Sequence, residues 1–416
     1  MKRLAALDIG SQNVVYLIGE IDSYGDIHII GFGEIPAKGI YKGVINDLAE
    51  AKASILKALK EAEEMAGVKV REVIYSVSGG TPKNYTVKSQ NIRDTITISS
   101  NSSEIEESHV NRLLERCLMK SKEDGYETVY YIPRKYILDE QGEVKNPLGL
   151  VGSKLSAEVH VVKVSATIIR NLEKAITEVG LIPVDKSISA IASADATLTP
   201  DEKEDGVLMM DIGAGLTDFS LYIEGRPLIT GVVPFGGINI TKDLSYMLKI
   251  DNEEAERLKI EYGDAYEKNV REEETIKIRP RGEDREIPIQ KKYITEIIQA
   301  RVEEIVRLVI EEIEKKGGKL SLINSGIVIT GGTANLKGIR ELVEDITHLP
   351  VRIGKPFGIM GLKERVDDPK YATAVGLLRQ GLLIEKFEAV ENKNSKGRGL
   401  FKNFVDKVKN LFEDLL

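Results

Sequence analysis

The sequence has no tryptophan, a single cysteine and four scattered histidines. One thiol, Cys117, cannot build an internal disulfide framework and suits a reducing compartment. In the helical stretch 108–121 it reads as a packed or partly exposed small hydrophobe. His28, His109, His160 and His348 lack metal-ligand spacing. Positive charge is not in excess: 58 Lys and Arg against 66 Asp and Glu leave −8, which argues against nucleic acid as a partner of the main body. No apolar run is long enough to span a bilayer. Met1-Lys2-Arg3 leads into a strand rather than a hydrophobic leader with a cleavage site, so no signal peptide is expected. What remains is a 416-residue chain, 42% hydrophobic and 30% charged, as expected of a soluble globular protein of two or more domains.

The most informative stretch is 206–222, GVLMMDIGAGLTDFSLY. Val207 to Met210 form an unbroken apolar run, as in a strand buried on both faces. Asp211 ends it, and Gly213 and Gly215 free the backbone for a tight turn into a second strand. Such a turn gathers backbone N–H groups into an anion pocket. The aspartate cannot bind an anion itself but can hold a divalent cation that bridges to one. Taken alone, a glycine hairpin is as a rule only a turn. The same device recurs at the N-terminus, where residues 4–7 run into Asp8, Ile9, Gly10 and Ser11 and residues 14–18 return. Two strand–Asp–Ile–Gly–turn–strand units make an internal repeat, and two such hairpins could grip one polyphosphate and its metal from opposite sides.

Along the chain, residues 47–66 read as an amphipathic helix with Asp47 as N-cap and Gly67 as its stop. A strand is expected at 70–77. Polar strands at 84–88 and 94–98, a helix at 108–121 without a full capping box, and strands at 129–138 and 156–164 suggest a small α+β module inserted into the first domain. A helix follows at 166–179, then a helix end and charged turn over 195–205. Helices are expected at 238–248, 253–262 and 335–346, a hairpin within 272–289, and a closing helix at 369–381. Over 293–315, Ile294, Ile297, Ile298, Val302, Ile305, Val306, Val309 and Ile313 form one helical stripe. A third glycine pair, Gly331-Gly332 before Thr333, could let a planar base lie against bare backbone. Glu256 and Lys259, three apart on one helix face, could meet ribose and base; the plain reading is an exposed intrahelical ion pair.

Asp8-Ile-Gly-Ser, Asp211-Ile-Gly-Ala-Gly-Leu-Thr-Asp and Ile329-Thr-Gly-Gly-Thr resemble the phosphate and adenosine motifs of the actin, heat-shock ATPase and sugar-kinase superfamily. Val233-Pro-Phe-Gly-Gly, Ala255-Glu-Arg-Leu-Lys-Ile-Glu-Tyr-Gly, Ala300-Arg-Val-Glu-Glu-Ile and Asp368-Pro-Lys-Tyr-Ala-Thr-Ala-Val-Gly-Leu-Leu resemble the FtsA family of bacterial cell-division proteins, as do Asn146-Pro-Leu-Gly-Leu and Glu158-Val-His-Val-Val in the module.

The resemblance implies an α/β, actin-like (ribonuclease-H-like) two-domain fold with an inserted α+β subdomain. Segments 1–81, 165–204 and 362–387 would form the first core, 82–164 the insert, 205–239 and 319–361 the second core, and 240–318 its outer subdomain. It implies ATP and Mg²⁺ in the interdomain cleft. Asp8 and Asp211 would hold the metal through water. Gly10, Ser11, Gln12 and Asn13, with Gly213, Ala214, Gly215, Leu216 and Thr217, would hold phosphates. Glu256, Lys259, Gly331, Gly332 and Thr333 would hold adenosine. Two departures stand out. Gln12 and Asn13 occupy a turn where many relatives carry a lysine, and Ser189-Ala-Ile-Ala-Ser-Ala replaces a segment that often begins with glutamate. A serine there orients an attacking water poorly, so slow or absent hydrolysis is expected.

Residues 388–397 are polar and read as a flexible linker. After them Leu400, Phe401, Phe404, Val405, Val408, Leu411, Phe412, Leu415 and Leu416 keep helical three–four spacing, with Arg398, Lys402, Lys407 and Lys409 outside the stripe. A docked last helix or a coiled-coil seam would show the same stripe. The phenylalanines, flanking cations and preceding linker suit a helix lying in an anionic leaflet, and the segment resembles the family's membrane-targeting helix. The resemblance then implies an adaptor that polymerises, binds the C-terminal tail of FtsZ, tethers the division ring to the cytoplasmic face of the inner membrane and recruits later division proteins. A pilus-assembly adaptor and a sugar-kinase-type enzyme are the alternatives.

Overall fold

A computed structural model describes residues 2–81, 84–283 and 285–391. The tail 398–416, with all nine of its expected membrane-facing residues, lies outside them. Among the described residues no helix is long and apolar enough to cross a membrane.

Two sheets dominate. The first runs in the spatial order Ile182–Ile188, Glu72–Val77, Lys2–Ile9, Asn13–Ile21, Ile27–Pro36, with the short strand Met360–Gly361 at its edge. The second runs Arg226–Val233, Thr217–Ile223, Val207–Ile212, Ile327–Thr330, Val351–Ile353. In both, the hairpin strands and the third strand pair antiparallel, while the fourth and fifth add parallel on the other side of the first strand. The repeat expected from two hairpins therefore extends to two whole five-stranded sheets of one topology.

Successive side chains in a strand face opposite ways, and here each face meets a different core. Ala5 and Leu7 enter one buried cluster, Leu4 and Ala6 another. Val207 and Met209 join the first-domain core, while Leu208 and Met210 join the second. Burial on both sides explains why residues 207–210 carry no polar alternation. The helix Leu48–Ala66 covers the first sheet and begins at Asp47, which accepts from the Glu50 amide at 3.0 Å; Gly67 closes it at φ 65°. The long helix Lys291–Lys315 buries Ile294, Ile298, Val302, Val306, Val309 and Ile313 in the second-domain core; Ile305 is buried as well, and Ile297 is half-buried.

The insert is a four-stranded sheet in the order Gly142–Val144, Tyr126–Leu138, Lys154–Ser165, Val87–Thr97, backed by the helix Glu107–Ser121. Its own core includes Leu113, Leu114, Val159, Val161 and a fully buried Cys117.

Several boundaries differ from expectation for physical reasons. The two polar strands at 84–88 and 94–98 are mostly one, Val87–Thr97. Its polar middle serves as an interdomain face: Asn91 Nδ2 donates to Leu228 O at 3.1 Å. The helix Glu107–Ser121 has half a capping device, since the Glu106 amide donates to His109 Nδ1 at 3.1 Å. The charged turn before residue 206 is a helix, Pro200–Asp205, held by a reciprocal Thr199–Glu202 capping box. The helix expected at 335–346 starts only at Ile339, because Gly338 at φ 73° interrupts it after a 3₁₀ turn, Gly332–Asn335. The closing helix, Ala372–Glu391, continues four residues into the expected linker.

Candidate functional site

Each hairpin closes with the same four-residue turn. The Gly10 amide donates to Asn13 O at 3.0 Å, and the Gly213 amide to Leu216 O at 2.9 Å. A Cβ on Gly10 would lie 2.7 Å from Asn13 O, so glycine is needed there. The turns also meet each other: a Cβ on Gly215 would fall 2.6 Å from Ser11 Oγ and 2.9 Å from Ser11 Cβ. Inside the turns, among the described residues, the amides of Ser11, Gln12, Ala214 and Gly215 have no backbone acceptor. Backbone donors in that state bond water or a ligand.

Between the turns lies a cavity of about 450 Å³, within the range of small-molecule sites. Asp8, Asp211, residues 10–13 and 213–216, Glu256, Lys259, Gly331, Gly332 and Thr333 all line it. Thr217 does not: it is fully buried and its hydroxyl donates to Phe235 O at 2.9 Å. Alternation explains the difference, since Thr217 is already a strand residue facing away from the turn.

Three carboxylates share the floor. Ser76 Oγ donates to Asp8 Oδ1 at 2.7 Å, Thr373 Oγ1 and Ser193 Oγ donate to Asp211 Oδ2, and Ser78 Oγ donates to Asp218 Oδ1 at 2.6 Å. Burial pushes the Asp8 carboxyl up to about 7; the Ser76 hydrogen bond opposes this and the charge on Asp211 adds to it. Burial likewise raises Asp211. It raises Asp218 well above the usual carboxylate range, helped by Asp211 and Asp8. Asp211 and Asp218 are direct cross-strand partners in the hairpin, an arrangement of like charges that destabilises a sheet unless a cation intervenes.

The opposite wall comes from the second domain. Lys259 Nζ donates to Glu256 Oε2 at 2.7 Å, to Thr241 Oγ1 at 2.9 Å and to Gly237 O at 3.2 Å. The plain ion pair does form, and both partners line the cavity. Gly331 sits at φ 84°, where a Cβ would meet Asp211 Oδ1 and lie 2.7 Å from Ile212 O. A Cβ on Gly332 would meet nothing nearer than Lys370 Cβ at 3.8 Å. Thr333 Oγ1 donates to Gly213 O at 3.0 Å, tying this wall to the second hairpin.

Sequence reasoning missed Asp218, Ser78, Glu34, Lys370, Ile260 and Leu336 among the lining residues. Glu34 accepts from Asn13 Nδ2 at 2.7 Å and from Lys370 Nζ at 3.0 Å, bracing the first turn. Asp218 had a legible signal, a carboxylate seven residues after Asp211 across a tight hairpin; Glu34 and Lys370 had none, lying 336 residues apart.

Residues 208–376 match the family model "Cell division protein FtsA", and residues 84–163 match "SHS2 domain inserted in FTSA". The chain is 34% identical to cell division protein FtsA of Pseudomonas aeruginosa over 92% of its own length and 89% of that protein. It is 35% identical to cell division protein FtsA of Bacillus subtilis, over 90% and 82% respectively. Among solved structures it resembles the PilM-PilN type IV pilus biogenesis complex, with TM-score 0.63 and 18% identity over 91% of this chain and 98% of that one. It also resembles MreB 5 of Spiroplasma citri bound to AMPPNP, with TM-score 0.58 and 15% identity over 94% and 99%. The fold is thus actin-like with an inserted module, and the chain belongs to the FtsA family of cell-division proteins.

Proposed function

We propose that the cleft binds ATP with Mg²⁺, and that the chain is the adaptor that fastens the FtsZ ring to the cytoplasmic face of the cell membrane at the division site. The observation that carries the nucleotide reading is the meeting of two Asp–Ile–Gly turns on one cavity, with Gly215 against Ser11. The turns 10–13 and 213–216 would hold the phosphates, with the amides of Ser11, Gln12, Ala214 and Gly215 as donors. Glu256, Lys259, Gly331, Gly332 and Thr333 frame the adenosine. The donor set fits Mg²⁺: it is all oxygen, and the facing carboxylates of Asp211 and Asp218 call for a cation. Among the described residues no three His, Cys, Asp or Glu side chains gather closely enough to seat an ion directly, so Asp8 and Asp211 would act through the ion's water shell. The metal would neutralise phosphate charge and fix the phosphate geometry. The solved MreB 5 chain bound to AMPPNP supports this reading by shared fold.

Hydrolysis is slow in this reading. Ser189 lines the cavity and, among the described residues, its hydroxyl reaches only Val77 O, at 3.5 Å. It has no carboxylate with which to orient water. The apolar tail stripe, from Leu400 and Phe401 to Leu415 and Leu416, would lie in the anionic leaflet, and polymerisation would multiply these weak anchors by avidity. The FtsZ C-terminal tail and later division proteins are the protein partners.

Co-sedimentation tests the whole. The chain should pellet with anionic liposomes and carry FtsZ with it, more so with ATP. Phe404→Glu or Phe412→Glu should release it from the vesicles while leaving ATP binding intact. Equal pelleting of wild type and both variants would overturn the membrane reading; a chain that binds no ATP would overturn the cleft reading.

A further inference from the structure

A finger of the first domain reaches over the cleft. Two short antiparallel strands, Ile40–Tyr41 and Val44–Ile45, are joined by Lys42 and Gly43, whose φ values are 50° and 70°. Two positive φ angles are what a type I′ hairpin turn requires, and Asn, Asp or Gly usually fills its first central position. A lysine there is a strained choice. Gly43 lines the cavity, and a Cβ on it would lie 3.0 Å from Gly79 Cα, so the finger is pressed tightly onto the first-domain wall.

Lys42 is only 6% exposed. Its ammonium donates to Pro234 O in the second domain and lies 5.2 Å from the Phe235 ring centre and 5.7 Å from that of Tyr41. Among the described residues it has no carboxylate within ion-pair reach. Burial holds its pKa down, and the charge on Lys242 adds to this. A buried ammonium without a counter-charge is costly. The cavity beside it has the opposite problem. Asp8, Asp211 and Asp218 crowd its floor, and neither phosphate turn carries a lysine or arginine. Of the three lysines that line it, Lys259 is committed to Glu256 and Lys370 to Glu34, while Lys337 stands beside Leu336 on the second-domain wall and belongs to neither phosphate turn. The stem of Lys42 lies against the second turn, with Cγ 3.4 Å from where a Gly215 Cβ would be. From Cγ, the remaining flexible stem can turn toward Pro234 O or toward the cavity.

We infer that Lys42 selects triphosphate over diphosphate: its ammonium leaves the Pro234 carbonyl for the outermost phosphate, which unlatches the finger from the second domain. This rests on the cleft being an ATP site. With diphosphate the ammonium stays on Pro234 O, and the finger bridges the domains. One residue then reports the state of the nucleotide to the contact between the finger and the second-domain helix Gly237–Leu248, whose Lys242 lies 5.8 Å from the Tyr41 ring centre.

The test is calorimetric titration of the full chain with Mg–ATP and with Mg–ADP, for wild type, Lys42→Met and Lys242→Met. Methionine keeps the apolar stem and removes the charge. Lys42→Met should weaken ATP by about tenfold or more, as loss of a charge-assisted hydrogen bond does, and leave ADP within twofold of wild type. Lys242→Met should leave the ATP-to-ADP ratio unchanged. Equal loss for both nucleotides would make Lys42 a structural pin and overturn the inference; no change for either would overturn it too. A wild type that binds neither nucleotide would defeat the ATP reading itself, and is told apart because no variant enters that comparison. If Lys42→Met does not fold, wild type with ¹³C-methylated lysines gives the same decision. The Lys42 signal, assigned by its loss in Lys42→Arg, should move with Mg–ATP and not with Mg–ADP; equal movement overturns the inference.

Discussion

Two adjacent glycines separate fold from site at the scale of single residues. Gly331 adopts φ 84°, and an added Cβ would press on Asp211 Oδ1 and the Ile212 carbonyl. Gly332 has ordinary backbone and open space, yet lines the cavity. Gly331→Ala should therefore cost about 2 kcal/mol or more of stability, from strain and overpacking together. Gly332→Ala should melt as wild type does and bind ATP more weakly. Thermal melts and nucleotide titrations on both variants check the contrast, and equal melting points would refute it. Asp218 makes the complementary case. It faces Asp211 across the hairpin, and a cross-strand like-charge pair costs up to about 1 kcal/mol. Asp218→Asn keeps an acceptor for Ser78 Oγ. It should raise the melting point of the nucleotide-free chain and reduce the Mg²⁺-dependent part of ATP affinity. A drop in both would show that the carboxylate is structural.

Elements were legible wherever their cause was local. The helix Leu48–Ala66 announces itself by Asp47 and Gly67, and the two hairpins by glycines beside an aspartate. Elements whose cause lies elsewhere in space were misread. The strand Val87–Thr97 reads as two because its middle is polar, yet Ser89 and Asn91 answer the carbonyls of Thr230 and Leu228 in another domain. Glu34 and Lys370 were missed for the same reason. The helix Pro200–Asp205 is different: its signal was local, in the Thr199–Glu202 spacing. That device also anchors tertiary structure, because Glu202 holds Arg352 with contacts of 2.6 and 2.7 Å. Thr199→Ala should cost about 1 kcal/mol, the usual value of an N-cap. A loss in urea denaturation below a few tenths would mean that the arginine alone fixes this helix.

Over the whole molecule, the seam between insert and second domain carries its own pH dependence. His160 is fully buried in the insert strand Lys154–Ser165. Asn91 Nδ2 already donates to Leu228 O, so Asn91 Oδ1 accepts from His160 Nδ1 at 2.8 Å. That leaves Nε2 of the neutral ring to accept from Thr230 Oγ1 of the second domain at 3.0 Å. Burial pushes the ring down to about 3, with Arg134 and Lys316 repelling a proton as well. In the unfolded chain the ring titrates near its ordinary value of about 6.5. Between those values the unfolded state binds more protons than the native one, so this stability is whole above about 6.5 and drains away as pH falls toward 3. By pH 4 the loss should reach about 3 kcal/mol. His160→Gln cannot titrate there. The variant starts less stable at pH 7.5, but the gap to wild type should narrow steadily as urea unfolding is followed down to pH 4. Acidification would then loosen the insert at the Ser89–Asn91–Thr230 seam before it disturbs the two hairpins, whose buried carboxyls are easier, not harder, to keep at low pH. Parallel wild-type and variant curves would place the acid-sensitive group elsewhere.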